Sequence, residues 1–567
     1  EFDRLDNNGR LWIGGNNIDF APWSSLLGYG GIDLDRGHGR IGFWTTLKDR
    51  RIVAVQADAN LHDLVFRAHV PNALPGDPET PHAGLAGMRM TGRWEGSAGG
   101  WRAEAPLLRL RSKAASAEDV LDGVAMRDAG STTLVAPRAD LGDALSIAML
   151  SDRVAPKLRD WLMQAAPKLR LGAVRVDRTR NGIVRGKAVL DDAGWQPVGT
   201  IPALQGFAGN LSFDNSAIAL QFRRRPSSIL WPPAFGDPMP MEFSGNLVAW
   251  RDGASWTLES SNLHAQNNDV SLDTRMAMRF DADGTRPRLD LFTTVGPAHG
   301  SAAHRYWILH KMPPKTVAWL DSALEGGDVL GENAIVSGDL DDWPFLHNEG
   351  LFEIVADLAD AQVHFNPEWP RADHVSGRLA FVDDGMRFDG SGEIVGIQAK
   401  QLSAEIPDFH QAVLDINTVA AGSGRQMLAL MRQSPLQKRY GDTFNALDVQ
   451  GDGQGATLHL VLPLQHELGE PKVDGDVALA HATLSDKRWN LLLTDANGYL
   501  HYNQAGLLAD ALDVKVNGDP AKFRLAIGDA TGDPAMAVSA QLRGAFPPAT
   551  LLQHAAALDW LKTIITG

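Results

Sequence analysis

The sequence contains no cysteine, and this absence excludes several kinds of chemistry at once. Disulfides, thiolate zinc sites, iron–sulfur clusters and cysteine nucleophiles all require the thiol group. Long apolar runs are also lacking, since no stretch approaches the roughly 18 residues that a membrane-spanning helix needs. The first residues, Glu1-Phe2, do not resemble a secretory signal peptide. We therefore expect a processed chain or a piece cut from a longer protein.

Basic charge is scarce as well. The chain has 53 Lys and Arg against 69 Asp and Glu, a net charge of -16. Proteins that bind nucleic acid normally carry a basic stripe, whereas the longest basic cluster here is the arginine triplet 223–225. The composition excludes a nucleic-acid partner and disfavours a polybasic membrane-binding segment.

Apolar and polar residues alternate with a period of two along much of the chain. This pattern is typical of antiparallel strands with one oily and one solvated face. The apolar positions that we select as candidate lining of a hydrophobic surface are Val270, Leu272, Met276, Met278, Phe280, Phe352, Ile354, Leu379, Phe381, Leu458, Leu460, Leu462, Phe523, Leu525 and Ile527.

Asx-Gly pairs between these runs predict tight hairpin turns. They are Asn181-Gly182, Asp252-Gly253, Asp283-Gly284, Asp384-Gly385 and Asn517-Gly518. Helical periodicity is limited to 143–163, 302–309, 314–324, 425–431 and 548–564. The recurrence of strands followed by a helix predicts one continuous body of four imperfect repeats, at 1–165, 166–327, 328–437 and 438–567.

The predicted fold class is mainly β, with a few short interrupting helices. Alternation alone leaves two arrangements open. In the first, the oily faces pack on each other in sandwiches. In the second, an elongated antiparallel sheet curls so that its oily side lines a groove.

Catalytic and metal-binding motifs are incomplete in this sequence. His466-Glu467 lacks the second histidine of a zinc-protease helix, because position 470 is Glu. The glycines around Ser423 lack the Lys-Ser/Thr of a phosphate-binding loop. Adjacent aspartates such as Asp383-Asp384 are expected in solvated turns. We predict no catalytic residue, no metal and no cofactor.

Tryptophan is unusually common, with 16 Trp against 5 Tyr. Several lie beside proline, and two interpretations remain open for them. They can plug strand ends and corners, or they can form aromatic walls of an apolar groove or a carbohydrate platform. The four that adjoin proline are Trp23, Trp231, Trp343 and Trp369.

One segment carries a family resemblance. Residues 313–324 read Pro-Pro-Lys-Thr-Val-Ala-Trp-Leu-Asp-Ser-Ala-Leu, residues 338–345 read Gly-Asp-Leu-Asp-Asp-Trp-Pro-Phe, and residues 364–370 read His-Phe-Asn-Pro-Glu-Trp-Pro. This combination resembles the YhdP family of Gram-negative envelope proteins, which belongs to the AsmA-like group with TamB. The strongest similarity covers about 300–410.

The resemblance implies a bridge-like lipid-transfer protein with the curled, grooved sheet. Its partners would be phospholipids, the inner and outer membranes, and possible envelope proteins. The chain would lie in the periplasm, anchored in the inner membrane by a segment missing here. A periplasmic scaffold of dry β-sandwiches is the alternative, and a carbohydrate-active enzyme is a weaker one.

Overall fold

The structure is a computed structural model and describes most of the chain. It describes residues 2–3, 8–26, 28–69, 80–113, 118–199, 201–307, 309, 312, 314–343, 345, 347, 349–451, 454–488 and 490–546. Strands account for 65% and helices for 13% of the residues. The prediction of a mainly β fold with a few short helices is therefore confirmed. Among the described residues, no helix combines the length and apolarity needed to cross a bilayer.

The chain divides into two units, and unit 1 comprises Glu1–Asn268 and Leu272–Leu289. We count β18 with unit 1 and β19 with unit 2, where most of each strand lies. The strands of unit 1 are β1 (Phe2–Asp3), β2 (Asn8–Asp19), β3 (Gly28–Tyr29), β4 (Ile32–Lys48), β5 (Arg51–Ala68), β6 (His82–Ser97), β7 (Gly100–Ser112), β8 (Glu118–Val120), β9 (Val124–Asp128), β10 (Thr132–Asp140), β11 (Lys168–Arg178), β12 (Val184–Trp195), β13 (Ala203–Asp214), β14 (Ala217–Phe222), β15 (Pro226–Leu230), β16 (Met239–Asp252), β17 (Ser255–Gln266) and β18 (Ser271–Phe280). Its helices are α1 (Asp143–Ala148) and α2 (Pro156–Ala165), with a 3-10 helix at Ala21–Leu26.

Unit 2 comprises Asp269–Ser271 and Asp290–Gly567. Its strands are β19 (Arg288–Val295), β20 (Ala298–His299), β21 (Leu324–Asp339), β22 (Leu351–Val363), β23 (Ala372–Val382), β24 (Gly385–Ile394), β25 (Ile397–Ile406), β26 (Val413–Gly422), β27 (Leu447–Gln450), β28 (Gln454–Pro463), β29 (Lys472–Asp486), β30 (Leu491–Asn503), β31 (Gly506–Val516), β32 (Asp519–Gly528) and β33 (Val538–Gly544). Its helices are α3 (Pro314–Ala323), α4 (Gly424–Arg432) and α5 (Leu436–Ala446). Short 3-10 helices lie at Gly300–Arg305, Leu340–Asp342, Phe409–Gln411, His466–Leu468 and Asp529–Thr531.

Within unit 2, most strands pair antiparallel with the next strand along the chain, from β21 to β26 and from β28 to β33. The exception follows β26, where α4 and α5 are inserted. There β26 pairs with β28, and β27 pairs with β29. Antiparallel neighbours joined by short turns are the arrangement that the alternation predicts.

Each Asx-Gly pair except Asp384-Gly385 has a glycine with positive φ, but the asparagine or aspartate shares this conformation at one pair alone. Asn517 and Gly518 both have positive φ, at 52° and 96°, as a two-residue hairpin turn of the primed type requires. At the β23–β24 turn, the positive φ of 49° belongs to Asp383 instead. The expectation for the Asp384-Gly385 pair is therefore wrong, because an aspartate tolerates the left-handed conformation that was assigned to glycine.

The helix predictions hold in two places and need correction in two others. Helices α3 and α4 lie at the predicted 314–324 and 425–431. The predicted 143–163 helix is broken into α1 and α2, because Pro156 cannot continue a helix and instead begins α2. In place of the first part of the predicted 302–309 helix, the structure has a 3-10 helix at Gly300–Arg305. The predicted helix at 548–564 lies outside the described residues.

Candidate functional site

The strands of unit 2 align apolar side chains into rows across the sheet. One row contains Ile354, Phe381, Met386 and Ile406, each directly opposite the next on the neighbouring strand. A second row runs through Ala356, Leu379, Phe388, Ala404, Ile416, Leu460 and Val473. Residues directly opposite each other on antiparallel strands project to the same side. These rows define what we call the apolar face of unit 2.

The other side of the same strands carries charge. Arg378 Nε donates to Asp357 Oδ1 at 3.3 Å, and Arg387 Nε donates to Asp389 Oδ2 at 2.7 Å. Further along the sheet, His459 Nε2 lies 3.1 Å from Asp415 Oδ2. Exposed ion pairs of this kind contribute little stability. What they do is make one side of the sheet polar and solvated, while the other side is apolar.

Helices α4 and α5 form a hairpin that lies on the apolar face. Ser423 begins α4 with a capping box: its hydroxyl accepts from the Gln426 N–H, and the Gln426 side chain accepts from the Ser423 N–H. Arg432 joins the two helices, because its Nη2 donates to the carbonyls of Phe444 at 2.6 Å and Leu447 at 2.8 Å. The hairpin is thus held by polar bonds at its ends while its apolar side faces the sheet.

An apolar cavity lies beneath this hairpin. Its volume is about 100 Å³. Met427, Leu428 and Met431 of α4 line its upper wall, and Leu493 and Leu512 belong to its sheet side. Most of its sheet side comes from β29 to β32, next to the strands whose rows define the apolar face.

Paired bulges interrupt the strands at two places in unit 2. Asp360 and His374 face each other with positive φ of 52° and 53°, and the His374 Nδ1 lies 2.6 Å from Asp360 Oδ1. His481 and Asp495 repeat the arrangement at φ of 51° each and a distance of 2.6 Å. Two hydrogen bonds lower the pKa of the Asp495 carboxyl, and the one from His481 has a larger effect than the one from Lys515. Each bulge shifts the register of strand pairing, so residues that follow it project to the opposite side of the sheet from the one that simple alternation predicts.

One group of potential metal ligands occurs within the described part of the chain. Asp384, Asp408 and His410 place ligand atoms within 4.8 Å of one another. His410 Nδ1 hydrogen-bonds the Asp384 carboxylate, which raises the pKa of His410, and burial raises the pKa of Asp384. Asp384 is therefore not the solvated turn residue expected from sequence. These bonds hold the turn that stacks Phe409 on Phe381, with ring centroids 6.2 Å apart.

The model of the YhdP protein family matches residues 1–567, the whole chain. The chain belongs to the YhdP family. It is also 24% identical, over 562 residues, to the intermembrane phospholipid transporter YhdP of Escherichia coli strain K12. That alignment covers 96% of this chain and 43% of the relative. The chain thus spans less than half the length of this curated relative, and the family resemblance predicted from residues 313–370 is confirmed.

In this YhdP-family chain, the predicted lining residues differ in exposure. Phe280 is exposed at 41%, and the others are buried or half-buried. The buried ones are Val270, Leu460, Leu462, Phe523, Leu525 and Ile527, and the half-buried ones are Leu272, Met276, Met278, Phe352, Ile354, Leu379, Phe381 and Leu458.

The structure brings some of these residues together. Leu379, Phe381 and the three leucines of β28 belong to one apolar cluster of unit 2, whereas the β32 residues Phe523, Leu525 and Ile527 belong to another and line the cavity. Leu272 packs with a cluster of unit 1. Met276, Met278 and Phe280 lie outside the buried clusters of the described residues. Whether these residues line a lipid groove stays a prediction.

Sequence reasoning missed several sheet residues that line the cavity, among them Leu493 and Leu512. Leu491, Leu492 and Leu493 are consecutive, so alternation could not show that Leu493 is 1% exposed and Leu492 is 50% exposed. Leu512 follows a register shift between Ala509 and Leu512, which hides its side of the strand. Of the proline-flanked tryptophans, Trp369 is buried in the β28 cluster, as the plug interpretation expects, while Trp23 is 56% exposed.

Proposed function

We infer that the chain is part of a non-enzymatic conduit for phospholipid, in which acyl chains move along apolar sheet faces between the inner and outer membranes. The apolar face of unit 2 carries this proposal. Its rows continue from β22 to β29 without an intervening charged side chain, while the opposite side is ionic. An acyl chain gains about 0.8 kcal/mol for each buried methylene group. Such a surface can bind hydrocarbon while a head group remains in water.

The proposal also rests on the relative's name, which describes an intermembrane phospholipid transporter. Similar positions along an apolar face differ little in free energy, so a lipid can slide between them without a chemical step. We therefore propose that the chain is not an enzyme. We place it in the periplasm, with inner-membrane anchorage supplied by another part of the protein. Its partners are phospholipids, the two membranes and envelope proteins.

A periplasmic scaffold with dry cores is the second candidate. The observation that favours it is the complete burial of Ile406, Leu460 and Leu462, at 0%, 1% and 1% exposure. Side chains so enclosed act as ordinary core. Half-buried residues on the same side of these strands, such as Leu458 on β28, are those that acyl chains would contact in a conduit.

Site-specific photocrosslinking separates the two candidates. A benzoylphenylalanine at Leu458 lies on the apolar face, and one at His459 lies on the charged side, one residue away. We expect phospholipid adducts at position 458 and none at position 459, detected by mass spectrometry after ultraviolet irradiation of cells. The two variants share strand, depth and chemistry, so position 459 is a matched control. Absence of adducts at 458, or equal yields at both positions, would exclude the conduit.

A further inference from the structure

Two tryptophans of unit 1 project from the side of its sheet that carries ion pairs. Trp12 on β2 and Trp44 on β4 lie directly opposite each other and are 59% and 48% exposed. Side chains alternate along β4, so Trp44 projects to the same side as Arg40, which pairs with Asp58. Ile41 projects to the other side, where it packs against a buried cluster. Because grouped apolar side chains on a solvated surface mark binding sites, this pair indicates a site separate from the apolar side of the sheet.

Glycines beneath the two indoles let the rings lie along the sheet. A Cβ atom on Gly14 would lie 2.6 Å from Cζ2 of Trp12, and one on Gly42 would lie 3.4 Å from Cη2 of Trp44. Gly42 is buried because both indoles reach over it. Each indole therefore turns a broad face outward, and this electronegative face attracts the weakly positive C–H groups of a flat ligand. We call Trp12, Trp44, Gly14 and Gly42 the tryptophan platform.

Hydrogen-bonding side chains continue the row that begins with the two tryptophans. The register runs on through Gln56, Arg93 and Glu104, each directly opposite the next, so they project to the same side. Ion pairs with Glu95 and Arg102 hold the last two of these side chains at the surface. Pyranose rings match such a row, because their faces carry C–H groups and their edges carry hydroxyl and amide groups. An apolar protein surface fits less well, since it would bury these polar groups without partners.

The charge around the platform differs from that of the chain as a whole. The described residues at 2–3, 8–13, 43–56 and 91–104 surround it. They include six basic residues, Arg10, Lys48, Arg50, Arg51, Arg93 and Arg102, and four acidic ones, Asp3, Asp49, Glu95 and Glu104. Six against four gives a net charge of +2, whereas the whole chain has -16. A polymer that carries carboxylates is repelled by most of such an acidic chain but not by this region.

We propose that the tryptophan platform binds the glycan strands of peptidoglycan, which are β-linked N-acetylated amino sugars with carboxylates on their peptide stems. Sugar rings stack on Trp12 and Trp44, while Gln56, Arg93 and Glu104 bond to hydroxyl and amide groups at the edges of the sugars. The choice of this glycan rests on the periplasmic placement under the proposed function. The contact uses only the ion-paired side of the sheet, so it holds the chain at the cell wall without occupying the apolar side.

Cosedimentation of the full chain with purified peptidoglycan sacculi tests this proposal. We expect saturable binding to sacculi, weaker binding to chitin, which has the β-linked amino sugars but no peptide stems, and none to α-linked starch granules. The double variant Trp12→Ala with Trp44→Ala should bind sacculi about tenfold more weakly, because two stacking contacts are lost. Trp256→Ala is the matched control, since Trp256 is a 42% exposed tryptophan of unit 1 outside the platform.

A second variant tests the orientation of the indoles while both rings are kept. The Cβ of Gly14→Ala would displace the Trp12 ring from the sheet, so we expect this variant to bind sacculi more weakly than the wild type. Sacculus binding that is equal in the wild type and the folded double variant, or absent from the wild type, would overturn the proposal. Self-association of the chain that the double variant loses, without any glycan binding, would assign the platform to a second copy and also overturn it. Phospholipid crosslinking at position 458 tests the proposed function separately, and the double variant should retain those adducts.

Discussion

Truncation of Leu512 to alanine tests how much the sheet side of the cavity contributes to stability. The Leu512 side chain is 1% exposed and lines the cavity beneath α4. Removing its three outer carbon atoms forfeits about 2.4 kcal/mol of transfer free energy, at about 0.8 kcal/mol each. The enlarged void adds about 1 kcal/mol more. We therefore expect Leu512→Ala to reduce the local stability of β31 by about 3 to 4 kcal/mol in the lipid-free chain.

Hydrogen exchange of the β31 amides measures this loss of local stability. Leu64→Ala is the control, since Leu64 is 0% exposed in a cluster of unit 1 and does not line this cavity. A loss of local stability below about 1 kcal/mol in Leu512→Ala would refute the assignment of Leu512 to the packed lining of the cavity.

Three further predictions concern burial and charge. Leu460→Asp should lower the free energy of unfolding by more than about 4 kcal/mol, because it buries a charge. Met278 is half-buried, so Met278→Asp should lower it by less than half as much. Urea unfolding of both variants measures the two values. The hydrogen bond with Asp384 raises the pKa of His410, so its stabilisation is complete below pH 6.5 and is lost as pH rises through the raised pKa. We expect His410→Gln to flatten the dependence of folding stability on pH, by less than about 1 kcal/mol because the side chain is so exposed. Thermal melting between pH 6 and 9 measures this dependence. Melting profiles that are the same for the variant and the wild type would contradict the prediction. Burial raises the pKa of Glu332, so ionisation of this side chain destabilises the fold as pH rises above 4.5. Glu332→Leu should therefore stabilise the chain at pH 7 by at least about 1 kcal/mol. An unfolding midpoint in urea below that of the wild type would contradict this prediction.

Sequence could predict those parts of the fold that depend on neighbours along the chain. The alternation around Leu458, Leu460 and Leu462 identified a strand with one apolar side, and Pro314 marked the start of α3. The family could also be identified, because motifs containing Trp319 and Trp343 lie close together in the sequence.

The rest depends on residues far apart in the chain. The cavity forms only because α4 and α5 fold over β29 to β32, whose lining residues follow them by about 30 to 100 residues, and periodicity cannot express such distances. Paired bulges such as that of Asp360 and His374 reverse the sides of a strand without a composition signal. The hydrogen bond from Arg488 to Thr443 could not be predicted for a related reason, since the two residues meet through tertiary packing.

The insertion of α4 and α5 between β26 and β28 has a consequence for how such proteins change over evolution. Gly422 and Gln454 lie directly opposite each other, so the two strands keep their pairing whatever the connecting segment contains. Lengthening, shortening or replacing the helical part, 423–446, alters the lid over the cavity but leaves the pairing of β26 with β28 and of β27 with β29 intact. Scaffold and lid can therefore diverge separately, so that relatives keep the same sheet while the lining of the cavity changes.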